Sequence, residues 1–248
     1  MGMEDLPIII PYRLDESWQG RGDELRLFLR SVDRNVTGLS RVCLVTDRVP
    51  DWLNWDEPSL MVVDQGNPFA HCKDANLFLK VQLALEALGG PARWCFSADD
   101  SVFLWPCDLR VLPVVFNGTP RDWYAAQNGK WYRRMVHTFD WLAEHGVRMD
   151  YAYDCHVPQV FSLTAGDIAM VPYGDGQGFC IYTLWRGLEG IGRGGVYQPL
   201  VVSRYASPED VARVRPSLPF CTYNDPPFGA GLRELLFRLF PDKSRFEK

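Results

Sequence analysis

The chain lacks a C-x-x-C pair, an apolar run of membrane length, a low-complexity tract and any excess of positive charge. Its seven cysteines (43, 72, 95, 107, 155, 180 and 221) are odd in number and scattered, several inside apolar stretches such as RVCLV and RWCFS. That spacing argues against zinc and a disulfide framework, and for reduced, buried thiols. The start, MGMEDLPIIIPYR, is acidic first and its apolar run stops at Pro11, too short for a signal peptide or a membrane span. A cytoplasmic protein with no membrane span is expected. The formal net charge of −5 gives no sign of a nucleic-acid or anionic-membrane partner. Histidine is scarce, at four residues.

Apolar and aromatic residues are plentiful. A 248-residue chain that is 47% hydrophobic can bury a sizeable core without staples. Nine tryptophans and a 13% aromatic share suit that core, or stacking against sugars and bases.

Periodicity gives an alternating order. Leu6 to Ile10 reads as a buried first strand stopped by Pro11. Asp23 is expected to cap a helix whose apolar stripe is Leu25, Phe28, Leu29, Val32 and Val36, closed by Gly38. Strands follow at 41–46 and 59–63. A second helix from about Asp74 carries Leu77, Phe78, Val81, Leu85 and Leu88 and ends at Gly89-Gly90-Pro91. RWCFS, 93–97, is a fourth strand running into Ala98-Asp99-Asp100. Such alternation predicts parallel pairing and right-handed crossovers. Beyond it, 120–146 looks helical and aromatic, and a last helix is expected near 231–239.

Asp99 and Asp100 end an apolar strand, where open α/β sheets bind ligands. Neighbouring strand residues point to opposite faces, so one carboxylate can touch a metal while the other holds a ribose or a metal-bound water. The plain alternative is a solvated acidic turn. His156, flanked by Asp154 and Pro158, is either a metal ligand or general base oriented by Asp154, or a hydrogen-bonded structural histidine. Lys73, Asn76 and Lys80 share one face near a helix start and suit a diphosphate, or form a solvated face. Arg13 and Arg21 bracket the loop after the first strand, with Tyr12 beside them. His71, His137 and His145 have no comparable setting.

Four segments resemble the Stealth family, which includes bacterial capsule phosphotransferases and the Golgi enzyme that makes the mannose-6-phosphate tag. They are DELRLFLRS (23–31), RVCLVTDRVPDWLNWDEP (41–58), RWCFSADDSVFL (93–104) and DCHVPQVF (154–161). The likeness is dense over 8–108 and thin over 151–185, and its length and closing LFPDKSRFE are similar to small bacterial and bacteriophage members. The family's first region is replaced by PIIIPYR, Ala98 stands where asparagine precedes the acidic pair, and no arginine follows His156 near Pro172.

The resemblance implies a glycosyltransferase-A-like α/β fold: a mixed, mostly parallel sheet flanked by helices in one domain over 1–248. Residues 1–110 would form the nucleotide-binding half, and 111–248 would complete the acceptor and metal sites. It implies a nucleotide-diphosphate sugar donor, a UDP-sugar foremost, with Mn²⁺ or Mg²⁺ on Asp99, Asp100 and His156. Tyr12, Arg13, Arg21, Lys73, Asn76, Lys80 and Asp99 would bind the donor, and Asp154 and His156 would be catalytic. The acceptor would be a glycan or modified phage DNA. Glycosyl transfer is expected over sugar-1-phosphate transfer, because the phosphotransferase arginine is missing. A non-catalytic nucleotide-sugar-binding module is the alternative from another class.

Overall fold

The computed structural model describes residues 3–14, 22–69, 72–125, 129–172, 178–197, 211, 217, 219–223 and 231–248, with the side chains of 123–125 and 130 excluded. It is a mixed α/β structure with a mostly parallel central sheet flanked by helices. The sheet order is β4-β3-β1-β5-β9. Its strands are β1 (Leu6–Pro11), β3 (Leu39–Thr46), β4 (Leu60–Asp64), β5 (Trp94–Phe96) and β9 (Gln159–Phe161). The first four are mutually parallel, and β9 runs antiparallel to β5 with Cys95 opposite Val160.

Alternation along the strands explains why both sheet faces are covered. Ile8 and Ile10 of β1, with Val42, Leu44 and Cys95, pack on Leu25, Phe28, Leu29 and Val32 of α1 (Asp23–Asn35). Ile9, Cys43, Val45, Trp94 and Phe96 point the other way. They meet α2 (Lys73–Ala87), and beyond it α4 (Lys130–Glu144) and α6 (Ile181–Leu188). A parallel sheet buried on both sides demands such continuous apolar strands. Trp185 of α6 fills the centre of the second face, edge-on to Trp94, Phe96 and Phe161 at 5.1–5.5 Å.

Short ribbons frame the sheet: β2 (Val36–Thr37) with β7 (Cys107–Asp108), β8 (Val115–Phe116) with β10 (Val196–Tyr197), and β6 (Ser101–Phe103) with β11 (Phe220–Thr222). A third apolar cluster joins β6 and β11 to α1 and α7 (Arg233–Leu239) through Leu27, Val102, Cys221, Leu232 and Leu236. The expected 120–146 helix is two, α3 (Pro120–Ala125) and α4, with Gly129 at φ 124° capping the second. A five-residue helix, α5 (Ala165–Ala169), carries a capping box between Thr164 and Asp167.

Two local expectations change. Gly22, at φ 85°, takes the N-cap position of α1. Asp23 lies inside the first turn and bonds Arg26 and Arg233 instead of capping. All seven cysteines are free, five of them buried, which matches the reading of reduced thiols. Among the described residues, no helix is long and apolar enough to cross a membrane.

Candidate functional site

The connections place the acidic pair. From β1 the chain crosses through α1 to β3 on one side; from β4 it returns through α2 to β5 on the other. The crossover direction therefore reverses between β1 and β5, the switch point at whose carboxyl edge open sheets bind ligands. Tyr12 and Arg13 follow β1 there, and Asp99 and Asp100 follow β5. The Ser97 amide donates to the Ile9 carbonyl at 3.1 Å, extending the pairing up to the acidic turn. The Tyr223 amide donates to the Asp100 carbonyl at 3.0 Å and holds that turn against the end of β11.

Three buried phenols from separate elements feel the charge of this pair. Burial, and then Asp99, Glu24 and Asp23, pushes the Tyr12 phenol above its ordinary range. Burial, and then Asp100 and Asp154, does the same to Tyr182. Tyr223 is raised by burial and then by Glu24, Asp100 and Asp99. Each phenol stays protonated, so each is a standing hydrogen-bond donor beside carboxylates. Glu24, Tyr182 and Tyr223 were not singled out in the sequence. Tyr182 sits in an apolar helix and Glu24 in an ordinary first turn, so neither carried a signal.

His156 lies close to this group and is linked to it. Its ring centroid is 6.1 Å from that of Tyr182 and 5.1 Å from that of Trp131 on α4. Burial, and then the nearby Lys73 ammonium, lowers its pKa to about 4, so the imidazole is neutral at pH 7. Its backbone is left-handed, φ 50°, the one non-glycine residue with positive φ among those described. Such strain in a non-glycine residue collects at functional positions.

The remaining expectations separate cleanly. Asp154 is fully buried and spends its carboxylate on α6: it accepts from the Tyr182 and Thr183 amides at 3.4 and 3.0 Å and from Thr183 Oγ1 at 2.6 Å. Burial raises its pKa to about 6 against those donors. It anchors a helix N-terminus, where an anion is stabilised by free amides and the helix dipole. A carboxylate sealed there neither reaches an acceptor nor orients His156, which corrects both expected roles.

Asn76 is likewise internal: its amide bonds the Phe69 N–H, the Phe69 carbonyl and the Cys72 carbonyl, tying down the loop before α2. Lys80, 2% exposed, donates to the Tyr12 carbonyl at 2.7 Å and braces α2 against the end of β1. Burial lowers its pKa, Asp47 opposes that, and Arg13 adds to it. Asn76 and Lys80 therefore position the site's backbone instead of lining a donor sugar. Tyr12, 2% exposed, is part of the core beside α1 and offers no stacking face to a base. Arg13 and Lys73 are exposed. Arg21 lies outside the described residues.

His137 and His145 bond and stack within the fold. One bonds the Gly178 carbonyl at 2.9 Å and stacks on Phe179; the other stacks on Trp141. A cavity of about 390 Å³ lies against the end of α4, lined by Phe139, Ala143, Val147 and Met149, and includes none of the candidate residues. No protein-family model matches the chain, and no curated protein matches it.

Among the described residues, no three of His, Cys, Asp and Glu converge as metal ligands. The set Asp99–Asp100–His156 is therefore not assembled as a three-residue cage. That leaves the adjacent carboxylates, and Mg²⁺-type sites in nucleotide enzymes commonly use one or two carboxylates completed by substrate phosphates and water.

Proposed function

We propose that the chain is a transferase of glycosyltransferase-A type that uses a nucleotide-diphosphate sugar and a divalent cation. The observation that carries this reading is the Asp99–Asp100 pair at the carboxyl edge of the sheet's switch point. Two adjacent carboxylates there suit a hard cation shared with a diphosphate, and such an ion neutralises the charge that develops on a leaving nucleoside diphosphate. Asp99 and Asp100 would hold it; His156 is not needed as a ligand. Arg13 and Lys73, exposed at the ends of β1 and the start of α2, carry the positive charge that a diphosphate requires.

The reaction proposed is glycosyl transfer to a hydroxyl of a glycan. The absence of an arginine near Pro172 is what favours it over transfer of sugar-1-phosphate. Turnover with a UDP-sugar and Mn²⁺ tests the choice: UDP release supports glycosyl transfer, and UMP release excludes it. The broader reading is tested by melting the protein with UDP-sugars, with and without Mn²⁺. A ligand that binds only the native state raises the melting temperature by mass action. Asp100→Asn should abolish the Mn²⁺-dependent part of that rise. An unchanged rise in the variant would remove the basis for the reading.

A further inference from the structure

Around His156 several polar groups have no partner among the described residues. Tyr182 is 2% exposed, packed edge-on against Phe96 at 5.4 Å, and its hydroxyl makes no hydrogen bond to any of them. Trp131 keeps its indole Nε1 buried and unbonded. Lys73 forms no ion pair among the described residues, and its charge acts on the imidazole. It is also the first residue of α2, a fifteen-residue helix whose N-cap, Cys72, supplies no side-chain bond. A buried indole N–H without a partner is costly, and folded proteins rarely leave one unmade without reason.

The groups share a chemistry. The indole is a donor only, the ammonium is a donor only, and the phenol is held protonated by its surroundings. The neutral imidazole adds one N–H. The nearby carboxylate Asp154 is consumed by α6. A corner lined by donors from α2, α4 and α6 complements an oxyanion with several acceptor oxygens.

We propose that Lys73, Trp131 and Tyr182 form with His156 a donor-lined corner that takes the phosphoryl oxygens of the substrate. This rests on the nucleotide-sugar reading and deepens it. It gives Trp131 and Tyr182 ligand contacts, and it replaces Asn76 and Lys80, whose polar atoms are already bonded. The cation's carboxylates and the corner's donors would then hold opposite sides of one diphosphate.

The test uses the full chain and three variants, Tyr182→Phe, Trp131→Phe and Lys73→Ala. Affinities are measured by calorimetry for inorganic pyrophosphate, UDP, UDP-glucose and uridine, in Mn²⁺ and without it. Each variant should weaken the phosphorylated probes roughly tenfold, the size of one charge-assisted bond. Uridine should be unaffected. Tyr182→Phe should melt no lower than the parent without ligand, since it deletes a hydroxyl that bonds nothing. Unaltered affinities, or a Tyr182→Phe protein melting several degrees lower, would overturn the corner. If the parent binds UDP-glucose and the variants bind it equally, the corner fails and the transferase reading stands. If pyrophosphate binds through the corner but no nucleotide does, the reverse holds. A parent that binds none of the probes overturns both.

Discussion

Thr222 donates its hydroxyl to the His156 carbonyl at 2.7 Å, and in the β6–β11 register it stands opposite Ser101. A hydroxyl has one proton, so the 3.4 Å contact between Ser101 Oγ and Thr222 Oγ1 must have Ser101 as donor. Two hydroxyls therefore link the residue after Asp100 to the backbone of His156. Thr222→Val keeps the shape and removes the link, and it should cost about 1–2 kcal/mol in a denaturant titration. Thr222→Ser should recover most of that. A valine variant as stable as the parent would show that the relay holds nothing.

The left-handed backbone at His156 makes a second, separable prediction. A side chain at φ 50° costs about 1–2 kcal/mol that glycine avoids, while glycine gives back about 0.4–1 kcal/mol through its freer unfolded chain. His156→Gly should therefore be more stable than His156→Ala, by up to about 1.6 kcal/mol. Paired chemical melts measure the difference directly. Alanine more stable than glycine by about 0.4–1 kcal/mol would mean that the conformation carries no strain.

Thr183 serves two buried partners at once. Its hydroxyl donates to Asp154 at 2.6 Å and accepts the Tyr153 amide at 2.8 Å. Thr183→Val leaves a carboxylate one donor short and an amide without an acceptor, both away from water. The expected loss is about 2–4 kcal/mol, from one charge-assisted bond and one orphaned amide. Thr183→Ser, which keeps the oxygen, should lose far less. A valine variant that loses no more than the serine one would show that the two bonds contribute nothing.

These same residues show what the sequence could and could not disclose. The sheet was legible because Ile8, Ile9 and Ile10, or Trp94, Cys95 and Phe96, must be apolar on both faces, and that pattern survives in one dimension. β9 was not, since three residues give no period, and its Gln159 is a buried polar group bonding the Tyr153 carbonyl. Among site candidates, Asp99 and Asp100 stood out because a strand's end is visible from its apolar run. Asp154, Asn76 and Lys80 misled because sequence shows a side chain's chemistry but not whether the fold itself consumes it. Tyr182 and Trp131 were hidden for the opposite reason, as aromatic residues in apolar or amphipathic helices read as core.

Glu247 ties the 244–248 segment to α1. Glu247 accepts a two-pronged bond from Arg30, at 2.7 and 2.9 Å, and the Ser244 amide at 3.0 Å, with Arg26 at 3.4 Å. Burial alone would raise its pKa, but these donors and charges outweigh it and hold the carboxyl below its ordinary 4.5. The folded pKa is thus depressed relative to the unfolded one, so the carboxylate's contribution is whole above about pH 4.5 and is lost as pH falls through the folded value. Glu247→Gln removes that contribution at every pH. The variant should melt below the parent at pH 7 and the gap should close progressively on acidification below pH 4.5, because the parent's glutamate then becomes neutral too. Because Lys248 and Phe246 pair with Trp52 and Asn54, the loss should loosen the 52–54 turn first, visible as faster amide exchange at Asn54. A melting gap that stays constant from pH 7 down to pH 3 would show that the charge on Glu247 does not hold the C-terminus to α1.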